Sequence, residues 1–188
     1  MTAARALLVF AALARLAFAA QYSLELTPEK TRIEWSLSDV LHTVHGTFNL
    51  KSGAIDFDTD TGAASGRIIV DLTSGASGNG TRDRRMHASV LESAKYPEAF
   101  FTPDRFEGKI DVPGASSVKL HGMFTIHGAP HELTMDVGQK SEENQMSATA
   151  DFSIPYVAWG MKDPSTFLLR VNKAVEVSIH ATGKLARR

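Results

Sequence analysis

The side chains able to do chemistry in this sequence are seven histidines and a cationic run, Thr81-Arg82-Asp83-Arg84-Arg85-Met86-His87, preceded by the Ser-Gly stretch Ser74 to Gly80. A metal site is the first chemistry to weigh, because imidazole is the commonest metal ligand. His121 and His127 stand six residues apart on one strand, roughly 20 Å at about 3.3 Å per residue, whereas zinc ligands lie about 2 Å from the metal. His42 and His45 are an odd number of positions apart, which on a continuous strand sends them to opposite faces. Only His127 and His131, flanking Gly128-Ala129-Pro130, are placed to converge, with Glu132 as the sole candidate third ligand. Outward, solvated histidines account for this spacing, and no metal site is expected.

Nucleophilic catalysis fares no better. There is no Cys and no G-x-S-x-G, and the serines fall in turns and on polar strand faces, where serine belongs for structural reasons. The neighbouring carboxylates Asp56 with Asp58, and Glu142 with Glu143, read as solvated strand ends. The run "SGASGNG" resembles a phosphate cradle but lacks the G-K-[ST] ending and the preceding parallel βα unit. No catalytic residue is expected, and binding is favoured over an enzyme. The cationic run therefore has two readings. Arg82 and Arg85, one helical turn apart, with His87, could hold an anionic or polar head group; alternatively Asp83 pairs with one arginine and the remainder is a solvated face.

The elements that must position these residues alternate with a period of two from Tyr22 onward. Ile33, Trp35 and Leu37 share one face; Val44, Gly46, Phe48 and Leu50 another; then Ile68, Val70 and Leu72; Val118, Leu120, Gly122, Phe124 and Ile126; Leu133, Met135 and Val137; Met146, Ala148, Ala150 and Phe152; and Val175 to Ala181. Phe100 and Phe101 open a strand that buries at least one ring. Pro-, Gly- and Asp-containing turns separate the runs. About eight strands with one apolar face each imply an all-β chain, either one antiparallel barrel or a two-sheet sandwich. Gly46, Gly122, Ala148 and Ala150 sit where bulky residues are expected, and either let strands bend or leave room for a guest. Two segments break the alternation: a short helix from Thr81 to Leu91, N-capped by Thr81, and a long loop insert, Ser153 to Phe167.

Composition bounds the function classes. Arg5, the apolar run Ala6 to Ala14 and the small-residue site Ala17-Phe18-Ala19 have the layout of a cleaved secretory signal over residues 1–19, too short for a membrane anchor. Residues 20–188 then form one domain, large enough to bury a core without disulfides. Without Arg5 and Arg15 there remain 18 Lys and Arg against 21 Asp and Glu, a net charge of −3, so no electrostatic footprint for nucleic acid exists. A soluble, exported protein with no stable membrane insertion is expected, and a homodimer is compatible with the sequence.

The order "HTVHGTFNLKSGAIDFD", "GRIIVDLTSGASGNGTRDRRMHASVLESAKYPEAFF", "KLHGMFTIHGAPHELTMDV" and a last strand "AVEVSIHATGKL" resembles the YceI-like family of bacterial periplasmic polyisoprenoid-binding proteins, over essentially Tyr22 to Leu185. The resemblance implies a lipocalin-like antiparallel barrel whose tunnel holds a long isoprenoid lipid, a quinone tail or a polyprenyl phosphate, in the periplasm and without chemistry upon it. "TRDRRMH" matches the family's Arg-Asp element at Arg82 and Asp83, and "FTIHG" its hairpin strand at Phe124 to Gly128. "SIPYVAWGMKDPSTFLLRVN" departs from the family's Asn-Arg-x-x-Phe-Gly-like run.

On these grounds the expected ligand-binding wall is Trp35, Val44, Phe48, Ile68, Val70, Phe100, Leu120, Phe124, Ile126, Met135, Phe152 and Trp159, the rings offering the largest apolar area. Arg82, Arg85 and His87 are the head-group candidates; no cofactor is expected apart from the bound isoprenoid. The competing readings are a small exported hydrolase using the mouth His and Arg residues, and a barrel scaffold displaying loops to a protein partner.

Overall fold

Strict alternation along a strand sends every second side chain to one face, so a sheet built from such strands can close on its apolar side. A computed structural model of the chain describes residues 21–167 and 170–188, and the segment expected to be a secretory signal, residues 1–19, lies outside the described residues. Its strands are β1 (Gln21–Leu26), β2 (Arg32–Ser38), β3 (Thr43–Asp58), β4 (Ala64–Ala76), β5 (Glu98–Gly108), β6 (Gly114–Ile126), β7 (Ala129–Glu142), β8 (Gln145–Ile154) and β9 (Val175–Arg187), with one short helix, α1 (Gly80–Arg85). All pairings are antiparallel, in the order β2-β9-β8-β7-β6-β5-β4-β3 and back from β3 to β2. The fold is a closed lipocalin-like barrel.

Nine strands make eight staves. β1 pairs with the C-terminal halves of β3 and β9, and β2 with their other halves. The two are one stave interrupted by the Pro28–Lys30 turn. Thr27 N–H donates to Thr182 O across the break at 2.9 Å. Closure leaves no sheet edge to template aggregation.

The two structural readings of the small inner residues hold at different positions. A Cβ on Gly46 would fall 2.2 Å from Trp35 Cζ2, so the indole already occupies that space. One on Gly122 would fall 2.3 Å from Thr102 O, opposite the β5 irregularity between Pro103 and Arg105; this is a barrel corner where backbones approach closely. Ala148 and Ala150, by contrast, border open interior volume.

The core runs the length of the barrel in two parts. At one end Leu24, Leu50, Phe57, Phe106, Met146 and Leu185 are buried together, with Phe57 stacked on Tyr22 at 5.5 Å and edge-on to Phe106 at 6.4 Å. At the other, Leu72, Phe124, Ile126, Ile154, Tyr156 and Met161 gather. That second end receives both segments that broke the alternation. Tyr156 anchors the 155–174 connection: its hydroxyl donates to Asn172 O at 2.7 Å, and burial pushes its pKa up to about 12.

Candidate functional site: an apolar interior with a cationic rim

Inward faces of all the staves enclose two adjoining spaces. A mouth chamber of about 580 Å³ lies under α1 and the 155–174 connection; a second, about 150 Å³, lies deeper. Ile33, Val70, Phe124, Phe152 and Ile179 border both, forming a waist. The mouth chamber falls within the about 300–1,000 Å³ of small-molecule sites, and an eight-stave barrel has room for one guest.

Trp35, Val44, Phe48 and Ile126 stand on the mouth chamber; Ile68, Leu120 and Met135 on the inner one; Val70, Phe124 and Phe152 on both. Phe100 borders neither. β4–β5 pairing puts Val70 opposite Ala99 and Ile68 opposite Phe101, so Ala99 and Phe101 point inward, while the Phe100 ring lies outside under the Arg67 guanidinium, 4.4 Å from its centroid. Trp159 also borders neither chamber. It stacks face to face on His131 at 4.2 Å and lies 6.0 Å from Phe124, capping the core rather than lining the space. Sequence reasoning passed over Leu72, Leu91 and Ile154, which border the mouth chamber; their inward parity was legible at Leu72, while Leu91 and Ile154 sit at segment ends where alternation stops.

The rim is built by the β4–β5 insert. Its helix starts at Gly80, with Asn79 as N-cap accepting from Thr81 N and Arg82 N, both at 3.1 Å; Thr81 is inside the helix, not its cap. After six residues the helix widens into a π turn, Met86–Val90. Among the described residues Asp83 pairs with no arginine: its carboxylate accepts from Ser77 N at 3.0 Å and from Ser77 Oγ. Arg82 Nε donates to the same Ser77 Oγ at 2.7 Å and its Nη2 to Ser77 O at 3.0 Å. Arg85 Nη2 reaches across to Pro164 O at 3.1 Å, joining the two mouth segments. Among the described residues none of Arg82, Arg84 and Arg85 is in an ion pair. Arg82 and Arg85 border the mouth chamber with Asn79, Thr81 and Asp39.

His87 does not join them. Its Nε2–H donates to Gly75 O and Nδ1 accepts from Ser93 Oγ, both at 2.9 Å; the carbonyl can only accept, which fixes the tautomer. Both ring nitrogens are spent on holding the insert to β4, so His87 is a clamp.

The remaining histidines are dispersed. His127 bonds Glu92 at 2.7 Å and packs on Tyr96, while His131 turns inward onto Trp159, its Nε2 buried without a partner and its pKa lowered by burial. His121 pairs with Asp104 at 2.8 Å. Among the described residues no three His, Asp or Glu gather as metal ligands.

A closed antiparallel barrel with an apolar interior and one cationic end defines a lipocalin-like binding fold. The YceI-like domain model matches residues 24–183, and the chain belongs to that family. Similar solved structures include BcnA of Burkholderia cenocepacia (TM-score 0.69, 15% identity, 84% of this chain and 98% of that one). A polyisoprenoid binding domain from Saccharophagus degradans implicated in plant cell wall breakdown is similar at TM-score 0.67 and 15% identity, over 88% of this chain and 98% of that one. The YCEI protein of Campylobacter jejuni follows at TM-score 0.61 and 20% identity, over 79% of this chain and 86% of that one. No curated protein sequence matches.

Proposed function

We propose that this protein holds one long-chain isoprenoid lipid noncovalently in its barrel and acts, after export, as a periplasmic carrier or sequestering protein rather than an enzyme. The observation that carries the reading is the pair of adjoining chambers, about 580 and 150 Å³, walled by aliphatic and aromatic side chains. A flexible isoprenoid gains about 25 cal/mol per Å² of apolar surface removed from water, offset by the ordering of its chain. Family membership and the Saccharophagus domain described as polyisoprenoid binding support the same ligand class. Export rests on the signal-like segment at residues 1–19.

In this reading the lipid tail passes the waist and its polar end stays at Arg82 and Arg85, whose guanidiniums suit a quinone carbonyl or a phosphate. The test is organic extraction of purified protein followed by mass spectrometry. Wild type yields about one isoprenoid per chain. Phe124→Asp, which places a charge against both chambers, yields none, while Lys119→Ala, an exposed residue paired with Asp136, yields as much as wild type. Retention of lipid by Phe124→Asp would sink the assignment of the interior as the site.

A further inference from the structure

We infer that the mouth end of the barrel is a peripheral docking surface for an anionic lipid bilayer. Among the described residues the large apolar side chains left exposed are Val40 (75%), Leu41 (76%) and Phe167 (100%). All three lie at one end of the molecule, on the β2–β3 loop and the 155–174 connection. These loops are held together: Asp39 bridges Val171, and Asn172 N–H donates to Ser38 O at 2.9 Å. Asp39, Pro164 and Val171 border the mouth chamber, so the loops that carry the apolar tips also form part of its wall.

Charge is sorted to the same end. The mouth segments 39–42, 77–90 and 155–173 carry six Lys and Arg against three Asp, in a chain whose formal charge is −1. The three carboxylates are tied to their own loops: Asp39 to Leu41 N and His42 N, Asp83 to Ser77, Asp163 to Ser165 N. Arg84 is exposed and, among the described residues, bonds only the neighbouring Thr81 Oγ1 at 3.1 Å. Apolar tips interleaved with cations are what an interfacial surface requires: the tips enter the headgroup boundary and the cations meet anionic lipid. No described helix is long and apolar enough to cross a membrane, and docking needs none. On the lipid-cargo reading, the seated barrel would present its chamber to the bilayer and take up or release the chain without carrying it through water.

The test is co-sedimentation with vesicles of phosphatidylcholine alone and of phosphatidylcholine with phosphatidylglycerol, alongside titration of the protein with farnesol in solution. Wild type sediments with the anionic vesicles and less with the neutral ones. Val40→Asp/Leu41→Asp/Phe167→Asp loses at least about tenfold in vesicle affinity, the effect of withdrawing large apolar side chains from the interface, with farnesol uptake unchanged because none of the three borders a chamber. Arg84→Glu loses at least about fivefold on anionic vesicles alone. Wild type that stays in the supernatant, or a triple variant that sediments like wild type, overturns the docking surface. Sedimentation without farnesol uptake keeps the docking surface and removes the lipid cargo.

Discussion

Ser77 decides the electrostatics of the rim. By accepting from Arg82 Nε and donating to Asp83, it lets a carboxylate and a guanidinium stand close without neutralising each other directly. Two other side chains give predictions at this scale. Burial against Trp159 lowers the pKa of His131. Its folded pKa lies below its unfolded value near 6.5, so the unfolded chain binds the extra proton and stability falls as pH drops below about 6.5. Urea midpoints measured between pH 7.5 and pH 5.5 should decline, and His131→Phe should flatten the decline; an equal decline in the variant excludes His131 as the cause. Gly46→Ala pushes a methyl into the Trp35 indole. It should cost about 1–3 kcal/mol by overpacking, seen as a lower denaturation midpoint with a shifted tryptophan emission.

The staves were the most legible elements, because a period of two survives any tertiary context that buries one face. β6 and β7 show it: Val118, Leu120 and Gly122 pair with Val137, Met135 and Leu133, the same inward set that alternation selects. Phe100 was misplaced because two adjacent phenylalanines satisfy either register, and only pairing with β4 decides between them. The helix start was misread for a related reason. Asn79 sits between two glycines, Gly78 and Gly80, and so looks like loop, although Asn is among the best N-caps. Asn79→Ala removes the acceptor for two backbone donors and should cost about 1 kcal/mol locally. Hydrogen exchange should quicken at Thr81 and Arg82 while the β6 and β7 amides are unchanged; protection equal to wild type contradicts the cap. The destination of Asp83 and the clamping by His87 were not legible at all, since Ser77, Gly75 and Ser93 become their partners only through the way the insert folds back on itself and on the end of β4.

At the scale of the whole molecule, the barrel separates two tasks along its axis. Phe57 and Phe106 fill one end with Tyr22 beside them, and the helix and the 155–174 connection frame the other. Between them the waist divides the interior, and in the proposed lipid-binding role its width would set how far a chain extends. Phe152→Ala should join the two chambers and shift bound lipids toward longer chains, whereas Ala150→Phe, which fills the inner chamber alone, should shift them shorter. Mass spectra of extracts from both variants would read this; identical chain lengths would mean that the tail never reaches the waist. The central claim is that the interior is a lipid site, and native mass spectrometry of protein purified without detergent tests it most directly. The account predicts a complex heavier than the bare chain by one isoprenoid, lost in Phe124→Asp. A spectrum of bare chain only, or an adduct that persists in Phe124→Asp, would contradict it.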